Sequence, residues 1–285
     1  MTGHNQNSAV LLAFCTCIIL KTPNRVYSRA RVATRLQNGP MSSPEIDQAL
    51  LNIFRQTERA SLAWNLETLE IGPGCRTLYF LNAHAVTMAE DNAEFRAALT
   101  GADRILRDGL GVELAFRQLG LQETANLNGT DLIPKIAARF KDRRIAVWGS
   151  SDEALEKLRT RLESEGFANL APMQHGFHDE GFYVEEFARE RPDLVILCMG
   201  MPKQEILAPK LTLEGHNALI ICGGGWANFH SGHVKRAPVL MQKMKIEFLH
   251  RLWKEPRRLG RRYTIGVAKY FRTIRRLSKS AIGRG

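Results

Sequence analysis

The sequence predicts an α/β fold: a Rossmann-like, mostly parallel sheet with helices on both faces, plus a basic helical C-terminal appendage. Three observations predict it. At 285 residues the chain is long enough to bury a substantial core. From Cys75 onward, short β-branched apolar runs alternate with segments of helical periodicity, the pattern of a parallel sheet covered by helices. Each apolar run then ends in polar or glycine-rich sequence, and in such folds ligands collect at the carboxyl ends of the strands.

In order, Ala9–Leu20 is an apolar stretch well short of the ~20 residues a membrane span requires. Its basic neighbours, Lys21, Arg25, Arg29, Arg31 and Arg35, follow it, whereas a signal peptide has them in front. Asn38-Gly39-Pro40 and Ser42-Ser43-Pro44 read as linker, so residues 1–43 are expected to be a poorly ordered leader. A helix is expected over Pro44–Ala60, started by Ser43, with Ile46, Leu50, Ile53 and Phe54 on one face. Strands are expected at Arg76–Leu81, Arg104–Leu106, Arg144–Trp148, Leu194–Met199 and Ala218–Cys222. Between them helices are expected at Ala85–Leu99, Val112–Leu119, Ile133–Phe140, Ala154–Glu165, Tyr183–Arg189 and Gln204–Leu213. These make a body over residues 44–234. Residues 235–285 form the appendage, whose last helical pattern sets Tyr263, Val267, Tyr270, Phe271, Ile274 and Leu277 against Lys269, Arg272, Arg275, Arg276 and Lys279.

The charge sits in that appendage. The whole chain carries +11, but residues 235–285 alone carry 16 Lys and Arg against 2 acids, which leaves the body slightly acidic. A basic amphipathic helix with aromatic residues on its apolar side suits an anionic membrane surface. No nucleic-acid partner is expected, and a homo-oligomer is compatible with the composition. The 5 cysteines are odd in number and no CxxC occurs, so a reducing cytoplasm fits better than a disulfide framework.

The chemistry centres on Arg104–Ala115, where an apolar run ends in Asp108-Gly109-Leu110-Gly111 and a helical pattern begins. A helix start there offers unpaired N–H groups and a positive dipole end to an anionic ligand. An acid is not needed to hold phosphate, so Asp108 reads as a base beside a phosphate-bearing substrate, or as a simple helix cap. Gly109 and Gly111 lack the third glycine of the dinucleotide fingerprint, and Gly223-Gly224-Gly225 leads into Trp226. No DxD motif occurs, and His230-Ser231-Gly232-His233 suits a loop better than a rigid pair of ligands, so no metal and no cofactor is expected.

Together the strand-end motifs and the tail resemble one family, the bacterial WecG/TagA/CpsF glycosyltransferases, from about Leu78 to Phe271. The resemblance rests on Asn82-Ala83, Asp108-Gly109-Leu110-Gly111, Asn128-Gly129-Thr130-Asp131, Gly200-Met201-Pro202-Lys203-Gln204-Glu205, Gly223–Gly225 and Ser231-Gly232. It continues with Arg236-Ala237-Pro238, Glu247–Leu252, Glu255-Pro256-Arg257-Arg258 and Arg262-Tyr263. The ordered set is specific where single members are not. It implies inverting, metal-independent transfer from a UDP-sugar to a saccharide on a polyprenyl diphosphate, at the cytoplasmic face of the inner membrane, in cell-surface polysaccharide synthesis. Asp108 matches the family's catalytic base and Gln204 an active-site residue. Without a metal, the departing diphosphate needs N–H groups and cations. Asn82, Gly109, Gly111, Lys203, Glu205, Gly223 and Gly224 are the candidates on the donor side, and Lys235, Arg236, Arg257, Arg258, Arg261 and Arg262 on the acceptor diphosphate. Where the family often carries an aspartate after the last glycine-rich turn, this chain has Trp226-Ala227-Asn228-Phe229, which leaves N-acetylmannosamine, its uronate and glucose open as the sugar. The rival readings are a nicotinamide-dependent oxidoreductase and a non-enzymatic membrane-surface scaffold. The first requires an acid some 20 residues past the glycines to hold the ribose, and Asp131 is near that distance but follows a loop.

Overall fold

The strands and their neighbours follow from the apolar runs. The structure, a computed structural model, describes residues 42–238, 241, 247–254 and 256–282; the Ala9–Leu20 stretch and the leader lie outside them. Five strands, β1 (Cys75–Leu81), β2 (Arg104–Arg107), β3 (Ile145–Gly149), β4 (Leu194–Cys198) and β5 (Ala218–Cys222), form one sheet in the order β2-β1-β5-β4-β3. Every pairing is parallel. Successive residues of a strand point to opposite faces. Accordingly Tyr79, Leu81, Trp148, Val195, Leu197 and Ile220 join one buried cluster, while Leu78, Phe80, Val147, Ile196 and Ile221 join the other.

The body helices are α1 (Ser43–Leu62), α2 (Ala83–Asp91), α3 (Ala93–Thr100), α4 (Leu110–Gln118), α5 (Gly129–Arg139), α6 (Asp152–Ser164), α7 (Glu180–Glu190), α8 (Lys203–Leu211) and the short α9 (Trp226–His230). Leu50, Ile53 and Phe54 of α1 are buried as their spacing requires. The single helix expected over Ala85–Leu99 is two. Asn92 leaves the helical region and its Oδ1 accepts from the Phe95 N–H at 2.9 Å, so it ends α2 and caps α3. Helix α5 begins a turn earlier than the periodicity predicts, because Asn128 Oδ1 caps it by accepting from the Asp131 N–H at 3.0 Å.

Beyond residue 238 come α10 (Glu247–Lys254), α11 (Pro256–Tyr263) and α12 (Ile265–Ile282). Here the structure corrects the sequence reading of the last helix. Its stripe of Tyr270, Ile274 and Leu277 is buried in the body's own core, against α2, α4 and α1. Tyr270 also donates its hydroxyl to the Gly111 carbonyl at 2.8 Å. Two of its cations are partnered as well: Lys269 pairs with Asp91, and Arg276 with Glu90 at 2.6 Å and Asp47 at 2.8 Å. Body and appendage are therefore joined by one core, and what faces outward is Val267, Phe271, Arg272, Arg275 and Lys279. Among the described residues no helix is long and apolar enough to cross a membrane.

Candidate active site

The chain runs from β1 outward to β2, crosses to the far edge at β3, and returns through β4 to β5 beside β1. The strand order thus reverses between β1 and β5, and at such a point a crevice opens beyond the carboxyl ends. Asn82 follows β1, Asp108 follows β2, Gly223–Gly225 follow β5, and the Gly200–Gln204 turn follows β4. The motifs separated in sequence are brought to one edge.

Asp108 stands partly exposed beside the end of β1, where its N–H donates to the Leu81 carbonyl at 2.9 Å. The chain then reverses through Gly109, whose φ of +88° is the left-handed region that favours glycine, and whose N–H donates to Asn126 Oδ1 at 2.8 Å. Asn82 caps α2 by accepting from the Ala85 N–H at 3.0 Å, which leaves its NH₂ as the amide's donor toward the edge. Next to it, burial and then the Arg262 guanidinium hold the His84 imidazole down at about 4, so it is neutral at pH 7. The charge of Arg262, in the appendage, thus acts on a side chain of the body.

Several of the candidate residues also make contacts inside the protein. Gly111 is a packing residue: a Cβ there would stand 2.9 Å from that of Ala83. Gly223 is pressed against Ile196 in the same way, and its N–H goes to the Leu197 carbonyl at 2.7 Å. Gln204 is buried, with Oε1 accepting from the N–H groups of Gly200 and Gly224, each at 3.1 Å, and Nε2 donating to Glu205 Oε1 at 2.7 Å. Gln204 therefore ties the turns after β4 and β5 together, and Gly224 gives its donor to it. Lys203 Nζ donates to the carbonyls of Gly176 and His178, both at 2.8 Å. Arg236 pairs with Asp131 and Glu247, which ties two distant motifs together. Lys235 and Arg257 are exposed, while Arg258 and Arg261 lie on α11 with side chains outside those described.

Glu205 is likewise inside, and its Oε2 has no hydrogen-bond partner among the described residues. Burial pushes its carboxyl up to about 7, against a smaller opposing pull from the Gln204 amide. The folded chain thus keeps this proton above the ordinary value of 4.5, so by linkage stability is full below 4.5 and falls as pH rises through 7. Glu205→Gln carries no such proton. Between pH 5 and 8 the wild-type unfolding midpoint is expected to drop more than that of Glu205→Gln; equal drops would place the titration elsewhere.

The sequence marks Gly149-Ser150-Ser151 as a strand end lining the cleft, but sequence reasoning missed the rings beside it. Ser150, at φ +68°, follows β3 and donates its hydroxyl to Asn228 Oδ1. Beside it lies a row of stacked rings, His175, His178 and Phe182. A ring at every third or fourth position over His175–Phe182 was the available signal. His230 pairs with Glu165 at 3.1 Å and His233 with Glu153 at 3.7 Å.

The family model described as "Glycosyl transferase WecG/TagA/CpsF family" matches residues 49–282. The chain belongs to the WecG/TagA/CpsF glycosyltransferase family. The match takes in most of α1 and all of α12, elements that share the body's core, and reaches beyond the Leu78–Phe271 span of the recognisable motifs. As a member of this family the chain is a transferase of sugars, with a sugar donor and an acceptor as its substrates.

Proposed function

We propose that the protein moves a hexosyl or N-acetylhexosaminyl residue from a UDP-sugar to a polyprenyl-diphosphate-linked saccharide, with inversion and without a metal. The observation that carries this is the meeting of Asp108 with Asn82 and the Gly223–Gly225 turn at the reversal of strand order. Inversion in one displacement needs a base on the acceptor hydroxyl, within about 3 Å of the proton it takes. Asp108 is partly exposed at that edge, beside an amide donor, and serves as that base. Charge on the departing diphosphate is balanced by N–H groups at the strand ends, and the acceptor diphosphate is held by cations of the appendage, among them Arg262 and the exposed Lys235 and Arg257.

The exposed Trp253, Ile265, Val267 and Phe271, with Arg272, Arg275 and Lys279, support peripheral attachment to an anionic membrane at its cytoplasmic face. Because α12 also supplies core residues, the attachment is made by these outward groups alone. The reaction course is tested by proton NMR of the product formed from an α-linked UDP-hexose. A β-linked product is expected, and an α-linked one would replace single displacement by Asp108 with a different mechanism.

A further inference from the structure

We infer that Arg236 is a positioning residue for Asp108: by joining the carboxylates of Asp131 and Glu247, it fixes the segment that brackets Asp108 to the appendage. The inference rests on the reading of Asp108 as the base. Arg236 stands between two helix starts. Its Nη1 donates to Asp131 Oδ1 in the first turn of α5, and its Nη2 donates to Glu247 Oε2 at 3.3 Å in the first turn of α10. Its Nε donates to both Glu247 oxygens at 3.4 Å. One guanidinium thus meets two carboxylates, one from the body and one from the appendage.

The connection to Asp108 runs through Asp131. Its second oxygen, Oδ2, accepts from Asn128 Nδ2 at 2.8 Å, and its N–H donates to Asn128 Oδ1 at 3.0 Å. The carboxylate therefore holds the capping residue of α5 on one side and Arg236 on the other. Just before Asn128 the chain runs along the end of β2. Arg107 Nε donates to the Ala125 carbonyl at 3.0 Å, the Leu127 N–H donates to the Arg107 carbonyl at 2.9 Å, and Asn126 Oδ1 accepts from the Gly109 N–H at 2.8 Å. Asp108 lies between the last two of these bonds, so a shift of the segment carries the base with it. The start of α5 is itself close-packed, for a Cβ on Gly129 would stand 3.1 Å from the Phe80 ring.

The electrostatics agree with this role. The hydrogen bond from Arg236 holds the Asp131 carboxyl below its ordinary range against the opposing effect of burial. Burial works against the Arg236 cation too, yet the bonds to Asp131 and Glu247 outweigh it and raise its pKa. A guanidinium already matched by two carboxylates is a poor ligand for a diphosphate, but its planar fork fixes direction as well as distance. The Arg236 side chain is 25% exposed and that of Asp131 53%. Pairs exposed to this degree add little to folding stability, so the loss of this one is expected to show in the placing of Asp108.

The test measures kcat and the acceptor KM of sugar transfer in Arg236→Gln, Asp131→Asn and the double variant, in the wild-type and Asp108→Asn backgrounds. Each single change is expected to lower kcat about tenfold, the scale on which a small misplacement of a reacting group acts, and to leave acceptor KM and the unfolding midpoint near wild type. The double variant is expected to fall no further than either single, and none of the three to lower the residual rate of Asp108→Asn. A raised acceptor KM at unchanged kcat in Arg236→Gln, absent from Asp131→Asn, overturns the inference and makes Arg236 a phosphate ligand. Additive losses overturn it, as do losses of equal size in the Asp108→Asn background or losses that track the folded fraction. Unchanged kcat in both singles also overturns it and leaves Asp108 as the base. Wild-type turnover in Asp108→Asn overturns the base reading, and the inference with it.

Discussion

Asp108→Asn is expected to lower sugar transfer by about 10²-fold or more, while the unfolding midpoint and UDP affinity stay near wild type. The amide keeps the shape of the carboxylate but cannot take a proton from the acceptor hydroxyl. The chain at this position is held by the Asp108 N–H to the Leu81 carbonyl and the Gly109 N–H to Asn126 Oδ1, neither of which the substitution removes. The two measurements belong together. A variant that loses turnover and stability in step has lost its turn; one that keeps both removes Asp108 from the chemistry.

Gly149→Ala is expected to remove more than about 4 kcal/mol of stability, enough to abolish soluble protein in most expression hosts. A Cβ at this position would lie 2.2 Å from the Cys198 carbonyl carbon, 2.4 Å from its oxygen and 2.7 Å from the Met199 nitrogen. All three are backbone atoms of the neighbouring strand end, so no side chain can swing aside. The φ of +124° adds a second penalty. Recovery of the variant with a wild-type denaturation midpoint would mean that β3 and β4 separate more easily than their register implies.

The strands were legible because each is a short unbroken apolar run with polar or glycine-rich sequence after it; β5 falls on the residues expected. Asp108 was legible for the same reason, as an acid at a strand end ahead of a glycine turn. What could not be read were roles set by distant partners. The stripe of Tyr270, Ile274 and Leu277 fits a bilayer or a protein equally well in one dimension. Only the fold brings Asp47, 229 residues before Arg276, to neutralise one of its cations. The bonds that Gln204 accepts from the N–H groups of Gly200 and Gly224 could not be read either, because they come from two separate turns. Nor could those of Lys203, whose carbonyl partners lie more than twenty residues upstream.

That this sheet edge transfers sugar from a uridine nucleotide with Asp108 as base is tested most directly by UDP release. The assay takes a panel of UDP-sugars in EDTA, with and without a polyprenyl-diphosphate-linked amino sugar, using wild type and Asp108→Asn. Acceptor-dependent release from one donor by wild type, lost in the variant, is the predicted result. Release that requires added metal, or that survives in Asp108→Asn, would contradict it.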